Sequence, residues 1–335
     1  MRKKKKKTGM RIVFAALLGF CAAHAVAGET LKLRYGQAYS SAHSIFSLPI
    51  SVAQRESLFA REGLDVEVLV PIPGGSDKMI AALHDDFVDL THVATPFLIR
   101  AAMAGSDAVA IAAEFDNPIY SLIAKPEIKT IADLKGKVVG LADEAGTIAI
   151  SMRKLLELHG LRQSDFGVKV IEGTPTRWAC LHRGDCDAVV LGQPQDLLAM
   201  QEGFRLLGVS NEAVARLLYT VTAVRRSWAD AHKDAVTRYV HALAAAFGFI
   251  RDPANRDSVI RTVVETTGVS DFIAGQTLDL FFQPERGVLP WHAEIDREGL
   301  KQVIALMGEA GSLEPPLPSA DRFVDTQYLQ AAGAQ

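Results

Sequence analysis

The chemistry that recurs along this chain sits in small polar turns. Tyr39-Ser40-Ser41-Ala42-His43 follows the first β-like run, and Gly74-Gly75-Ser76 follows the second and opens a helical segment. Glu144-Ala145-Gly146-Thr147 and Thr174-Pro175-Thr176-Arg177 stand in corresponding places further on. Each brings hydroxyls and free backbone N–H groups to a helix start, which suits polar or anionic groups. The candidate ligand contacts from these turns are Ser41, His43, Gly75, Ser76, Gly146, Thr147, Thr174 and Arg177. His43 is either a donor to an anion or a surface histidine. Arg177 either grips a carboxylate or sulfonate with two parallel hydrogen bonds or lies along the outside of its helix. Ser76, Thr147 and Thr174 either face a ligand or cap their helices. Trp178, Trp228 and Trp291 are assigned to core or lobe packing.

Signatures of catalysis are absent from the sequence. It holds no G-x-S-x-G, H-E-x-x-H, G-x-x-x-x-G-K-[ST] or G-x-G-x-x-G. Lys135-Gly136-Lys137 lacks the rest of a phosphate loop, and Thr130 to Asp133 before it has the form of a helix cap. The histidines are scattered singly, without metal-ligand spacing. No catalytic residue, metal or cofactor is assigned. Reversible binding needs none.

The elements that must position the turns follow from hydrophobic periodicity. Leu31–Gly36, Leu64–Val70, Asp89–Ala94 and Ala108–Ala113 read as strands, with helices near 49–62, 76–86 and 96–104. A second block repeats the alternation. Its strands are Ser121–Lys125, Val138–Ala142, Val168–Glu172, Ala188–Leu191 and Arg205–Val209, and its helices lie near 147–159, 175–183 and 194–202. After Tyr219–Arg225 come helices at 231–251, 254–266, 270–281 and 296–310, then an extended Pro-rich tail from Ser312. The pattern predicts an α/β fold of parallel sheets covered by helices. The blocks also echo one another. Leu83-His84, Asp89 and Pro96 recur at identical spacing as Leu181-His182, Asp187 and Pro194. Ligands in such sheets bind at the carboxyl ends of strands, so the echo adds the turns at Thr95 and Gln193 to the candidates.

The chain has 335 residues, with 36 basic and 39 acidic side chains. Residues 1–27 hold seven of the basic side chains and no acidic one. Without them the balance is 29 against 39, or −10, which makes nucleic acid a poor partner. The basic start, the apolar stretch Ile12 to Ala27 and the A-x-A site at Ala25-Val26-Ala27 have the pattern of a secretory signal cleaved near Ala27, with an uncleaved anchor or a basic arm as the alternatives. Export implies an oxidising compartment. There Cys180 and Cys186 either pair or are buried as two small hydrophobes.

The run from Leu48 to Glu67 (LPISVAQRESLFAREGLDVE) resembles the sulfonate/taurine/nitrate-type substrate-binding proteins of ABC importers, grouped as NMT1/THI5-like. IADLKGKVVG at Ile131 to Gly140 and LHRGDCDA at Leu181 to Ala188 resemble later landmarks of that family. The resemblance implies a type II periplasmic binding protein fold, two α/β lobes around a ligand cleft with hinge crossovers. The first lobe is expected over residues 28–115, the second over 116–219, and 220–335 returns to the first. Crossovers are expected near Phe115-Asp116-Asn117 and Leu218-Tyr219, and Asn117 joins the ligand-binding candidates. The resemblance further implies a periplasmic monomer that captures a small polar or anionic molecule and delivers it to a membrane permease with a cytoplasmic ATPase. A thiamine-pyrimidine-precursor protein and a ligand sensor are the alternatives. Arg55-Glu56-Ser57 departs from the family's commoner Lys-Gly-Tyr type, and the cysteine-rich iron motif of its pyrimidine-synthesising members is missing.

Overall fold

Ten strands pair into two separate five-stranded sheets in the computed structural model, which describes residues 30–72 and 75–334. The export signal expected over residues 1–27 lies outside the described residues. The first sheet has the order β2-β1-β3-β10-β4. Its strands are β1 (Leu31–Ala38), β2 (Leu64–Ile72), β3 (Leu90–Ala94), β4 (Ala108–Phe115) and β10 (Thr220–Arg225). The second has the order β7-β6-β8-β5-β9, from β5 (Ser121–Ala124), β6 (Val138–Leu141), β7 (Gly167–Val170), β8 (Ala188–Leu191) and β9 (Arg205–Val209). In each sheet one strand runs antiparallel to its two neighbours, β10 in the first and β5 in the second. These are the strands that follow a passage between lobes. Periodicity shows that both are strands and says nothing of which sheet takes them.

The internal echo has a physical basis. Asp89, just before β3, accepts the backbone N–H of Arg34 at 2.8 Å and pairs with its guanidinium. Asp187, just before β8, accepts the backbone N–H of Val138 at 2.9 Å and pairs with Lys125. Each carboxylate pins the neighbouring parallel strand, and Leu83 and Leu181 are both buried beneath.

Two passages of chain join the lobes. From β4 the chain runs through Asp116 and Asn117 to β5, and it returns through Leu217 and Leu218 to β10. The two are tied together: Tyr219 N–H donates to Phe115 O and Asp116 O, and Leu217 N–H donates to Asn117 Oδ1 at 2.8 Å. The lobes also meet away from the passages. Arg100 of lobe one donates to Ala145 O of lobe two at 3.1 Å, and Lys154 pairs with Glu309 at 2.9 Å. Ile150 of lobe two packs into the lobe-one cluster of Leu300 and Ile304.

Several elements differ from expectation. The helix expected over 49–62 is two, Leu48–Arg55 and Leu58–Arg61, broken where Ser57 takes a left-handed conformation at φ 57°. The helix expected over 231–251 is present as Lys233–Arg251, and a separate short helix, Arg226–Ala231, precedes it. The tail is not merely extended. Val324 bridges to Ala110 of β4, a helix follows at Gln327–Ala331, and Phe323, Tyr328 and Leu329 are buried. Their apolar side chains complete lobe one, a long-range use that a Pro-rich stretch does not signal. Among the described residues no helix is long and apolar enough to cross a membrane.

Candidate functional site: a cleft lined by both lobes

A cavity of about 350 Å³ lies between the lobes. Three helix N-termini line it: Ser76–His84 from lobe one, and Thr147–Leu158 and Thr174–His182 from lobe two. All three have glycine at the N-cap, namely Gly75, Gly146 and Gly173, and none has a side-chain cap. Gly173 sits at φ 79°, a conformation costly for any side chain. The capping alternative for Ser76, Thr147 and Thr174 is therefore overturned, since each stands one residue inside its helix. Ser76 Oγ accepts from Ala94 N–H at 3.0 Å. Thr174 Oγ1 accepts from Arg177, and Thr147 Oγ1 is buried without a partner. Short helices with bare N-termini aimed at one space favour negative charge there.

Arg177 is the one arginine or lysine among the lining residues, and only 2% of it is exposed. It does not lie along the helix surface. Its Nε donates to Val190 O at 2.5 Å, Nη1 to Ile171 O at 2.9 Å and Nη2 to Thr174 Oγ1 at 3.1 Å. Among the described residues no carboxylate lies in ion-pair contact with it. Burial pulls its pKa below the usual arginine value, with Tyr120, Tyr219 and Asp143 opposing that pull. Five N–H donors minus three leaves donors for a ligand.

An aromatic wall closes one side. Phe46 stacks on Tyr120 at 5.4 Å and meets Tyr219 edge-on at 5.5 Å. The two tyrosine hydroxyls are 3.2 Å apart, and burial raises both phenol pKa values. Gly192 allows this packing, because a Cβ there would come within 3.0 Å of the Tyr120 ring. Gln193 beside it donates to Asp196 at 2.8 Å, leaving its Oε1 buried and unpartnered. Burial raises the Asp196 pKa against the donors Ser121 and Gln193. Carboxylates of Asp77, Asp143 and Glu172 also line the cavity. Asp143 Oδ1 accepts the N–H groups of Ala145 and Gly146.

Behind the lobe-one wall lies a buried polar network. His92 of β3 lines the cavity, and its Nδ1 is 2.5 Å from Glu114 Oε2. Glu114 of β4 is wholly buried, and its Oε1 accepts from Tyr35 at 2.9 Å and Thr222 at 2.7 Å. Thr222 stands opposite His92 on β10, so the carboxylate reaches across the inserted strand. The Tyr35 pKa is pushed well up by burial and by the negative charge of Glu114.

Of the sequence candidates, Ser41, Gly75, Ser76, Thr147, Thr174, Arg177 and Gln193 line the cavity. Four do not. His43 is exposed outside the lining. Thr95 spends its hydroxyl on Leu218 O at 2.5 Å. Asn117 holds the crossovers together, donating to Ala215 O and Arg286 O while accepting from Leu217. Gly146 gives its N–H to Asp143. Local sequence finds the turns but not where each polar group turns. Ser44, Phe46, His92, Tyr120, Asp143 and Tyr219 were missed, because strand and aromatic residues carry no local mark of facing a cleft. None of the tryptophans lines the cavity, and Trp291 is 63% exposed against Arg251 rather than packed in a core. Cys180 and Cys186 form a disulfide that ties the Arg177 helix to the approach of β8. Among the described residues no cluster of His, Cys, Asp or Glu is arranged to hold a metal ion.

The family model described as NMT1/THI5 like matches residues 46–255. A Haemophilus influenzae protein named for thiamine biosynthesis is 30% identical over 145 residues, 42% of this chain and 44% of its own length. The match thus spans less than half of that relative. The ligand-binding component of a Staphylococcus aureus ABC-type import system superposes with a TM-score of 0.75 at 13% identity, over 92% of this chain and all of the other. The alkanesulfonate-binding protein SsuA of Xanthomonas axonopodis pv. citri, bound to MOPS, gives 0.67 at 19% identity, over 88% and 98%. The periplasmic nitrate-binding protein NrtA of Synechocystis gives 0.72 at 15% identity, over 91% and 89%. These likenesses establish a two-lobed α/β periplasmic binding fold.

Proposed function

The chain belongs to the NMT1/THI5-like family, and on that premise we propose that it is the exported solute-binding component of an ABC import system. It captures a small organic anion, sulfonate-, taurine- or carboxylate-like, between its lobes and hands it to a membrane permease. The observation that carries this reading is Arg177, a buried guanidinium in the cavity lining with no carboxylate in ion-pair contact among the described residues. A buried charge without an ion-pair partner in contact is costly, and an anionic ligand supplies one. The uncapped helix N-termini support the same polarity. Ligand contacts from both lobes stabilise the closed arrangement by their differential affinity for it. Binding is reversible, without catalysis, and the monomer works in the periplasm. The Cys180–Cys186 disulfide supports an oxidising compartment.

A second reading, capture of a thiamine-pyrimidine precursor, draws on the name of the Haemophilus relative and on the carboxylates Asp77, Asp143 and Glu172 in the lining. Thermal unfolding and small-angle scattering with alkanesulfonates, taurine, carboxylates, nitrate and aminopyrimidines separate the two. A melting-temperature rise and lobe closure with anions support the first reading. A response to aminopyrimidines alone replaces it with the second, and no response to any anion overturns it.

A further inference from the structure

Glu114 and His92 form a pair that the anion-binding reading does not use. Three donors converge on the two oxygens of Glu114: Tyr35 and Thr222 on Oε1, and the His92 ring on Oε2. Tyr239 stands 3.2 Å behind Thr222 and, since the Thr222 hydroxyl donates to Glu114, is placed to donate to its oxygen. A carboxylate so surrounded is an acceptor, which puts a proton on His92 Nδ1. A ring that carries this single proton keeps a lone pair on Nε2. His92 is only 5% exposed, and Nε2 makes no hydrogen bond within the described residues, while the ring lines the cavity. Neighbouring lobe-one groups in the lining share this character. Thr220 Oγ1 is buried without a partner, and Asp77 brings a carboxylate.

We propose that His92, its ring state fixed by Glu114, presents Nε2 as a hydrogen-bond acceptor to a ligand N–H group, so that the pair selects anions that also carry an amino group. The inference rests on the anion-binding reading and names the second half of the ligand. The anionic end meets Arg177 on lobe two while the N–H end meets lobe one, which makes the ligand itself a bridge between lobes. Glu114 acts here as a positioning residue, through His92.

The test has two arms on the full mature chain. Nitrogen NMR reads the ring without any ligand, with His92→Phe identifying the resonances. The expected pattern is a protonated Nδ1 and an unprotonated Nε2, and Glu114→Gln, whose amide donates to Nδ1, moves the proton to Nε2. A protonated Nε2 in the unaltered protein overturns the proposal. In the second arm, calorimetry compares 2-aminoethanesulfonate with ethanesulfonate. The unaltered protein is expected to prefer the amino compound by about tenfold or more, the scale of one hydrogen bond to a charged group. In His92→Phe and Glu114→Gln the ratio of the two dissociation constants falls towards one. A ratio that persists in both variants, or equal affinity in the unaltered protein, overturns the role of His92. Binding of neither sulfonate overturns the anion-binding reading as well, and this proposal falls with it.

Discussion

Replacing Arg177 with methionine separates the two jobs that the guanidinium performs. The structural job is three hydrogen bonds, to Val190 O, Ile171 O and Thr174 Oγ1. They come from a charged donor, so at about 1.5 kcal/mol each their loss costs about 4–5 kcal/mol of stability. Removing the charge acts the other way, because burial disfavours the charged form and an uncompensated buried cation opposes folding. The net destabilisation is therefore expected below about 4–5 kcal/mol. The ligand loses more specifically. Two parallel charge-assisted hydrogen bonds to an anion are worth about 3 kcal/mol, so affinity should fall by about 100-fold or more. Denaturant unfolding without ligand measures the first quantity, and calorimetry with ethanesulfonate measures the second. Arg177→Lys, which keeps the charge without the planar fork, should recover part of the affinity. The reasoning fails if Arg177→Met binds the sulfonate as tightly as the unaltered protein while losing stability. Arg177 would then be a strut between its helix and β8, and the anion would bind elsewhere.

Three further outcomes follow from the geometry. Closing the short Cys180–Cys186 loop is worth about 2 kcal/mol by chain entropy. Cys180→Ala/Cys186→Ala should lose about that much in denaturant unfolding, and reductant should then have no further effect. Asp116 Oδ1 is buried without a partner, and its pKa is raised well above the usual value by burial, then by Glu294 and Asp296. The folded protein thus holds the proton more tightly than the unfolded chain. Stability from this group is fully present below the unfolded value and declines as pH rises towards the folded one. Asp116→Asn should flatten the stability profile across that window and raise stability at neutral pH; an unchanged profile contradicts the assignment. Asp187→Ala frees the backbone N–H of Val138 and the ammonium of Lys125. A loss of about 1–3 kcal/mol is expected by denaturant titration, with Asp89→Ala giving a similar loss because it does the same work in lobe one.

Much of the fold was legible because it depends on neighbours in sequence. Alternating apolar runs make strands wherever one face is to be buried, and the glycine-led turns before residues 76, 147 and 174 open helices by local backbone preference. The echoed Leu, Asp and Pro positions announce two lobes of like topology. The break at Ser57 was not legible because no Gly or Pro marks it, and the tail packed under β4 was not because its partners lie far away in the chain.

For the site, residue types and spacing were enough to bring together Ser41, Gly75, Ser76, Thr147, Thr174, Arg177 and Gln193, because helix N-termini at strand ends face the same way in both lobes. Tertiary structure alone decided the rest. It turned Asn117 and Thr95 into hinge fasteners, buried Arg177 with no ion-pair partner among the described residues, and carried β10 between β3 and β4 so that Glu114 meets His92 over Thr222. The physical reason is the same in each case. A turn or a cap is settled within a few residues, whereas the charge balance of a cleft is set by side chains that only a closed pair of sheets brings within a few ångströms of one another.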